Sequence, residues 1–90
     1  MVRVRFPPHL RRHFPVPAET EFSATTVAGL VQQADVQFPG LAAYLIHEDG
    51  SLRKHVNIFI GEHFIRDRQR LTDEIPPGET VFVMQALSGG

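Results

Sequence analysis

The stretch Thr25-Thr26-Val27-Ala28-Gly29-Leu30-Val31-Gln32-Gln33-Ala34-Asp35-Val36-Gln37-Phe38-Pro39-Gly40 decides the fold. Val27, Leu30, Val31, Ala34 and Phe38 recur at helical spacing and form one apolar stripe. Thr25 or Thr26 supplies the N-cap oxygen, and Pro39-Gly40 ends the helix. Gly29 weakens the interior by up to about 1 kcal/mol relative to alanine, which the stripe outweighs. A helix apolar on one side needs a second layer to cover that side, and the flanking sequence shows what the layer is.

On both sides of the helix the apolar period changes to two. Upstream, Val2, Val4 and Phe6 alternate with Arg3 and Arg5 until Pro7-Pro8, and Thr20, Phe22 and Ala24 alternate with Glu19, Glu21 and Ser23. These segments predict a first hairpin, with Pro7, Pro8, Pro15 and Pro17 marking the connection as a loop. Downstream, Leu41 to Ile46 suggests a short helical turn and Asp49-Gly50 marks a turn. Val56, Ile58 and Ile60 alternate with Asn57 and Phe59 up to Gly61-Glu62, Phe64 and Ile65 suit a short strand, and Pro77-Gly78 precedes the strand formers Thr80 to Gln85. The order β-β-α-β-β-β predicts an α+β domain, a mixed β-sheet with one main helix packed on one face.

Strand alternation then sorts the other face. If Val56, Ile58 and Ile60 meet the helix, Phe59 points away from it, as do Phe82 and Met84 opposite Val81 and Val83. Phe59, Phe82 and Met84 are read as a partner-binding patch, with burial beneath a loop as the alternative. Arg66, Arg68 and Arg70 project as a basic stripe if that segment is extended, or serve as a solvated edge.

Composition narrows the function classes. Ninety residues with 42% hydrophobic and 21% charged content match one globular domain, residues 1–90. A net charge of −1 lacks the basic footprint of a nucleic-acid binder. No apolar run reaches the ~20 residues of a membrane span, so a cytoplasmic location with neither nucleic acid nor membrane as partner is expected. Cysteine is absent, which removes catalytic thiols and thiolate metal sites. His9 and His13 are four apart, a metal spacing on a helix, but the surrounding prolines oppose a helix and the five histidines are scattered, so no metal is assigned. Neither GxxxxGK[ST] nor GxGxxG occurs, and no Ser-His-Asp order or GxSxG supports a hydrolase.

Four stretches carry a more specific message: Phe38-Pro39-Gly40-Leu41, Asp49-Gly50-Ser51-Leu52-Arg53 leading into Val56-Asn57-Ile58-Phe59-Ile60, Pro77-Gly78-Glu79-Thr80-Val81, and Ser88-Gly89-Gly90. In this combination the chain resembles the ubiquitin-like β-grasp sulfur-carrier family, which includes the small subunit of molybdopterin synthase and the carriers of thiamine, cysteine and thiolated-tRNA synthesis. The resemblance implies that the carboxylate of Gly90 is the reacting group, on a flexible tail of residues 86–90. It further implies that an ATP-dependent adenylating enzyme of the ubiquitin-activating type activates Gly90, that sulfur then converts it to a thiocarboxylate, and that a sulfur-accepting biosynthetic enzyme consumes it. Length favours the molybdopterin or cysteine type. The resemblance also implies that Leu87, Ser88 and Gly89 thread the tail into the partner; glycine suits that role because the missing Cβ lets the backbone pass a narrow channel. On this account the chain is not an enzyme and binds no cofactor, ATP being held by the activating partner. The alternative is a ubiquitin-like modifier joined through Gly90 to target lysines, and a third reading is a β-grasp binding module without tail chemistry.

Overall fold

In the computed structural model, which describes residues 1–85, the upstream alternation becomes β1 (Val2–Arg5) and β2 (Glu19–Phe22). They pair antiparallel in the register Val2 to Phe22 and Val4 to Thr20. The proline-bounded connection is not all loop, as expected from its prolines, but contains a one-turn helix α1 (Pro8–Arg11). Pro8 occupies the first turn, where its missing N–H would have no intrahelical partner in any case. Leu10 from this turn is buried.

The central stripe forms α2 (Val27–Gln37). Of the two candidate caps it is Thr26 whose Oγ1 accepts a hydrogen bond, from Gly29 N at 3.1 Å. A Cβ at Gly29 would lie 3.3 Å from that same Oγ1, so the residue that weakens the helix interior also leaves room for its cap. After the helix, Gly40 takes φ 96°, a left-handed conformation that favours glycine. The Asp35 carboxylate accepts from Gly40 N at 3.1 Å and Ala42 N at 3.0 Å, anchoring the start of α3 (Leu41–Leu45).

Three strands complete the sheet: β3 (Val56–Ile60), β4 (His63–Phe64) and β5 (Thr80–Gln85). The fourth strand lies one residue earlier than Phe64 and Ile65 suggested. The two-residue turn Gly61-Glu62 pairs Ile60 with His63, and Ile65 leaves the strand to enter the core. The sheet order is β2-β1-β5-β3-β4, with β1 and β5 parallel and the other neighbours antiparallel, so the sheet is mixed as expected.

Between β4 and β5 the chain serves the helix. Val27 N and Ala28 N, two donors of the first turn of α2, give their hydrogen bonds to Asp73 O at 3.0 Å and Leu71 O at 2.9 Å. The core comprises Val27, Leu30, Val31 and Ala34 of α2 packed with Val2, Val4, Val56, Ile58, Val81 and Val83 of the sheet, and Leu71 and Ile75 join it. No polar side chain is buried among the described residues. None of their helices is long and apolar enough to cross a membrane.

Candidate functional site: the outer sheet face and the end of β5

Because every residue facing α2 has a neighbour facing away, register alone assembles the outer face. Phe59 lies opposite Phe82 on β5 and opposite Phe64 on β4. Phe59 and Phe64 are cross-strand partners with ring centroids 4.2 Å apart and planes tilted by 33°. On the far side of Phe82, Arg5 is its register partner on β1. One row thus reads Phe64, Phe59, Phe82, Arg5 across four strands, and Met84 stands beside it opposite Asn57.

Phe59 and Phe82 are half-buried by their neighbours in this row, whereas Met84 is 48% and Phe64 61% exposed. The expected grouping of Phe59, Phe82 and Met84 is therefore one contiguous surface among the described residues. Phe64 belongs to it as well. Sequence reading placed Phe64 on a strand but left it out of the patch, because the pairing that seats it beside Phe59 depends on the turn at Gly61-Glu62. Arg5, Pro7 and Pro8 face Phe82 and Met84 across a shallow groove of about 240 Å³. The row is apolar except for Arg5 at one end.

The end of β5 is held firmly. Gln85, its last residue, is the register partner of Val56, and Gln85 Nε2 donates to the Tyr44 hydroxyl at 3.3 Å. Tyr44 in turn contacts the rings of His13 and Phe14, each with centroids 5.6 Å away. The tail residues Leu87, Ser88, Gly89 and Gly90 lie outside the described residues.

The remaining polar residues singled out from sequence have other places. Arg66, Arg68 and Arg70 do not form a stripe. Arg68 turns inward, its guanidinium donating to Arg53 O and Val56 O, both at 2.9 Å, and to Asn57 Oδ1 at 3.2 Å. The segment is a loop organised by side-chain caps, not an extended strand, so alternate residues do not share a side. His9 and His13 contact each other through their rings at 5.1 Å, and no cluster of three metal-ligating side chains exists among the described residues.

Two carboxylates have pKa values shifted by hydrogen bonding. Asp67 is lowered to about 2, chiefly by the Thr72 hydroxyl and then by the backbone N–H of Arg70. Asp49 is lowered by the hydroxyl and backbone N–H of Ser51. Both anions hold up their own loops, and their partners all lie in those loops.

Residues 4–90 match the ThiS family. Over 91 aligned residues, 99% of this chain and 98% of the relative, the chain is 25% identical to the sulfur carrier protein CysO of Mycobacterium tuberculosis. Among solved structures, a chain of the BexX/CysO complex from Amycolatopsis orientalis superposes with a TM-score of 0.87 at 26% identity, with 100% of both chains covered. SAMP1 from Haloferax volcanii superposes with a TM-score of 0.76 at 16% identity over 99% of this chain and 98% of that one, a likeness of fold alone. With the mixed five-stranded sheet, the single long helix and a family match running from the first strand to Gly90, the chain belongs to the ThiS family and has its ubiquitin-like β-grasp fold.

Proposed function

We propose that this chain is a protein-based sulfur carrier of the cysteine-biosynthetic type, with Gly90 as the C-terminal residue of its working form. The observation that carries the proposal is the extent of the family match, which takes in Gly89-Gly90 together with the whole domain. Its relatives of similar length include proteins called sulfur carriers, and one of them occurs in a complex with BexX.

The chemistry begins with an anion. A C-terminal carboxylate has a pKa of roughly 3.3 to 3.7, so near neutral pH it is a poor acyl donor. In the proposed sequence a carboxylate oxygen of Gly90 attacks the α-phosphorus of ATP on an adenylating enzyme, releasing pyrophosphate. Sulfide, or the terminal sulfur of a persulfide, then attacks the acyl carbon; the C–S bond forms and AMP leaves with the electrons of the C–O bond. A persulfide donor additionally requires a reducing thiol to free the acyl sulfur. The resulting thiocarboxylate is delivered to a sulfur-accepting biosynthetic enzyme.

This chain's own contribution is presentation. Strand β5 lies between β1 and β3 and is bonded along both edges, so the point from which residues 86–90 depart has a fixed position relative to the outer face. In the proposal Leu87, Ser88 and Gly89 lead Gly90 into each partner while Phe59, Phe64, Phe82 and Met84 rest against its surface. Catalysis belongs to the partners, and no cofactor is assigned to this chain.

The test is intact-mass spectrometry after incubation with ATP, the adenylating enzyme and sulfide. The chain ending in Gly90 gains the mass difference between sulfur and oxygen, and the chain lacking Gly90 does not, although both melt at the same temperature. Covalent ladders with other proteins and no mass gain would identify a modifier instead, and equal behaviour of the truncated chain would remove Gly90 from the chemistry.

A further inference from the structure

The segments that converge on the end of β5 are predominantly cationic. The contact from Gln85 to Tyr44 brings in α3, the stacking of His13 on Tyr44 brings in the segment after α1, and the pairing of Gln85 with Val56 brings in the residues before β3. The segment of His13 supplies Arg11 and Arg12, the residues before β3 supply Arg53 and Lys54, and α3 supplies no Lys or Arg. Residues 7–14, 41–47, 53–57 and 82–85 contain no Asp or Glu. Arg11, Arg12 and Lys54 are exposed, and Arg53 is half-buried with its Nε donating to Ala43 O at 3.0 Å.

This is a sorting of charge and not an overall excess. The whole chain has nine Lys and Arg against ten Asp and Glu, so four cations in these segments, with Glu48 as the neighbouring anion in a shallow cavity it lines with Arg53, leave the remainder acidic. At the opposite end of β5, Glu79 directly precedes the strand, and Glu62 lies in the turn whose Gly61 donates to Thr80 O. The other strand-borne arginines are matched locally: Arg3 and Arg5 lie 3.4 and 3.7 Å from the Glu19 carboxylate. No ion pair among the described residues involves Arg11, Arg12, Arg53 or Lys54.

The geometry points to a cationic collar around the base of the tail that docks on an acidic rim at the mouth of the adenylating enzyme's channel. This rests on the sulfur-carrier reading above. The collar fits a protein rim better than a bound nucleotide because its cations are divided between two segments distant in sequence, and no glycine-rich loop gathers backbone donors on one phosphate. Charge placed at the rim of an interface acts mainly on the association rate and on orientation. The collar therefore guides the tail toward the channel before the apolar row of the outer face engages, and it selects against partners with a basic entrance.

The experiment compares two full-length variants of equal charge change, Arg12→Glu/Lys54→Glu in the collar and Arg66→Glu/Arg70→Glu away from it, against the adenylating enzyme. Stopped-flow association is measured over a range of salt, and thiocarboxylate formation is followed by mass. Melting temperatures establish that both variants are folded. The expected result is that the collar variant associates at least about tenfold more slowly at low salt and shows a flattened salt dependence. The control stays within about twofold of wild type, and the mass gain of the collar variant is recovered at saturating enzyme. Equal slowing in both variants, or in neither, overturns the collar. ATP added alone in a parallel NMR titration leaves the Arg11, Arg12 and Lys54 amides unmoved; selective shifts there would replace the protein rim with a nucleotide phosphate and overturn the proposal. A wild-type chain that gains no sulfur overturns the carrier reading and this inference with it, whereas a wild type that gains sulfur and a collar variant that associates as fast as wild type sink the collar alone.

Discussion

Asp67 and Leu71 illustrate how single residues define a loop that contains no regular structure. The Asp67 carboxylate accepts from the Thr72 hydroxyl at 2.6 Å and from the backbone N–H groups of Gln69 and Arg70 at 3.0 and 2.9 Å. These donors favour the anion and bring its pKa from the ordinary 3.8 to about 2. A carboxylate with a folded pKa below its unfolded one stabilises the protein above the unfolded value, and that contribution disappears as pH falls through the folded value. Asp67→Ala is therefore expected to lower the melting temperature near neutral pH, with a deficit that narrows between about pH 4 and pH 2; a deficit independent of pH would assign the effect to packing. Four residues on, Leu71 has φ 56° and is nonetheless 2% exposed. Left-handed backbone strains an L-residue by roughly 1 to 2 kcal/mol, while deleting a buried leucine side chain loses roughly 2 to 5 kcal/mol, so burial decides the identity of the residue. Leu71→Ala is expected to reduce stability by about 2 to 4 kcal/mol in urea unfolding. A loss under about 1 kcal/mol would mean that this part of the core collapses around the gap.

Among the elements, α2 owes its boundaries to both local and distant groups. Thr26 caps it from within the sequence neighbourhood, and the carbonyls of Leu71 and Asp73 cap it from a loop more than forty residues away. Removing the local cap with Thr26→Ala should cost about 1 kcal/mol. That change appears as a lower urea midpoint at unchanged slope, since the distant carbonyls continue to hold Val27 N and Ala28 N. A change of slope would instead indicate that the native state had loosened. The local cap was legible because threonine, an apolar stripe and Pro39-Gly40 are all adjacent signals. The distant cap was not, because a backbone carbonyl carries no residue-type signature. Similar limits explain the other differences. Proline-rich composition concealed α1 because proline disfavours helix interiors but not first turns, and the arginine alternation suggested a stripe only on the assumption of extended backbone.

For the molecule as a whole, the proposed function makes the outer face and the end of β5 one working surface. Met84 is exposed within it, so Met84→Glu should change stability by no more than about 0.5 kcal/mol. Thiocarboxylate formation at limiting partner is expected to fall by at least about tenfold, because a charge would then be desolvated in an apolar contact. Unimpaired formation would remove Met84 from the interface. Periodicity by itself determined that there is one main helix and a set of half-buried strands, and it sorted Phe59, Phe82 and Met84 onto the face opposite that helix, since side-chain direction follows from a two-residue or 3.6-residue repeat. Only tertiary structure decided which strands are neighbours. The insertion of β5 between β1 and β3 brings Arg5, Phe82, Phe59 and Phe64 into one row and sets Val56, just after Arg53 and Lys54, beside Gln85, while Tyr44 links Gln85 to His13. Pairing between strands distant in sequence depends on how the whole chain buries its apolar surface, and no local repeat encodes it.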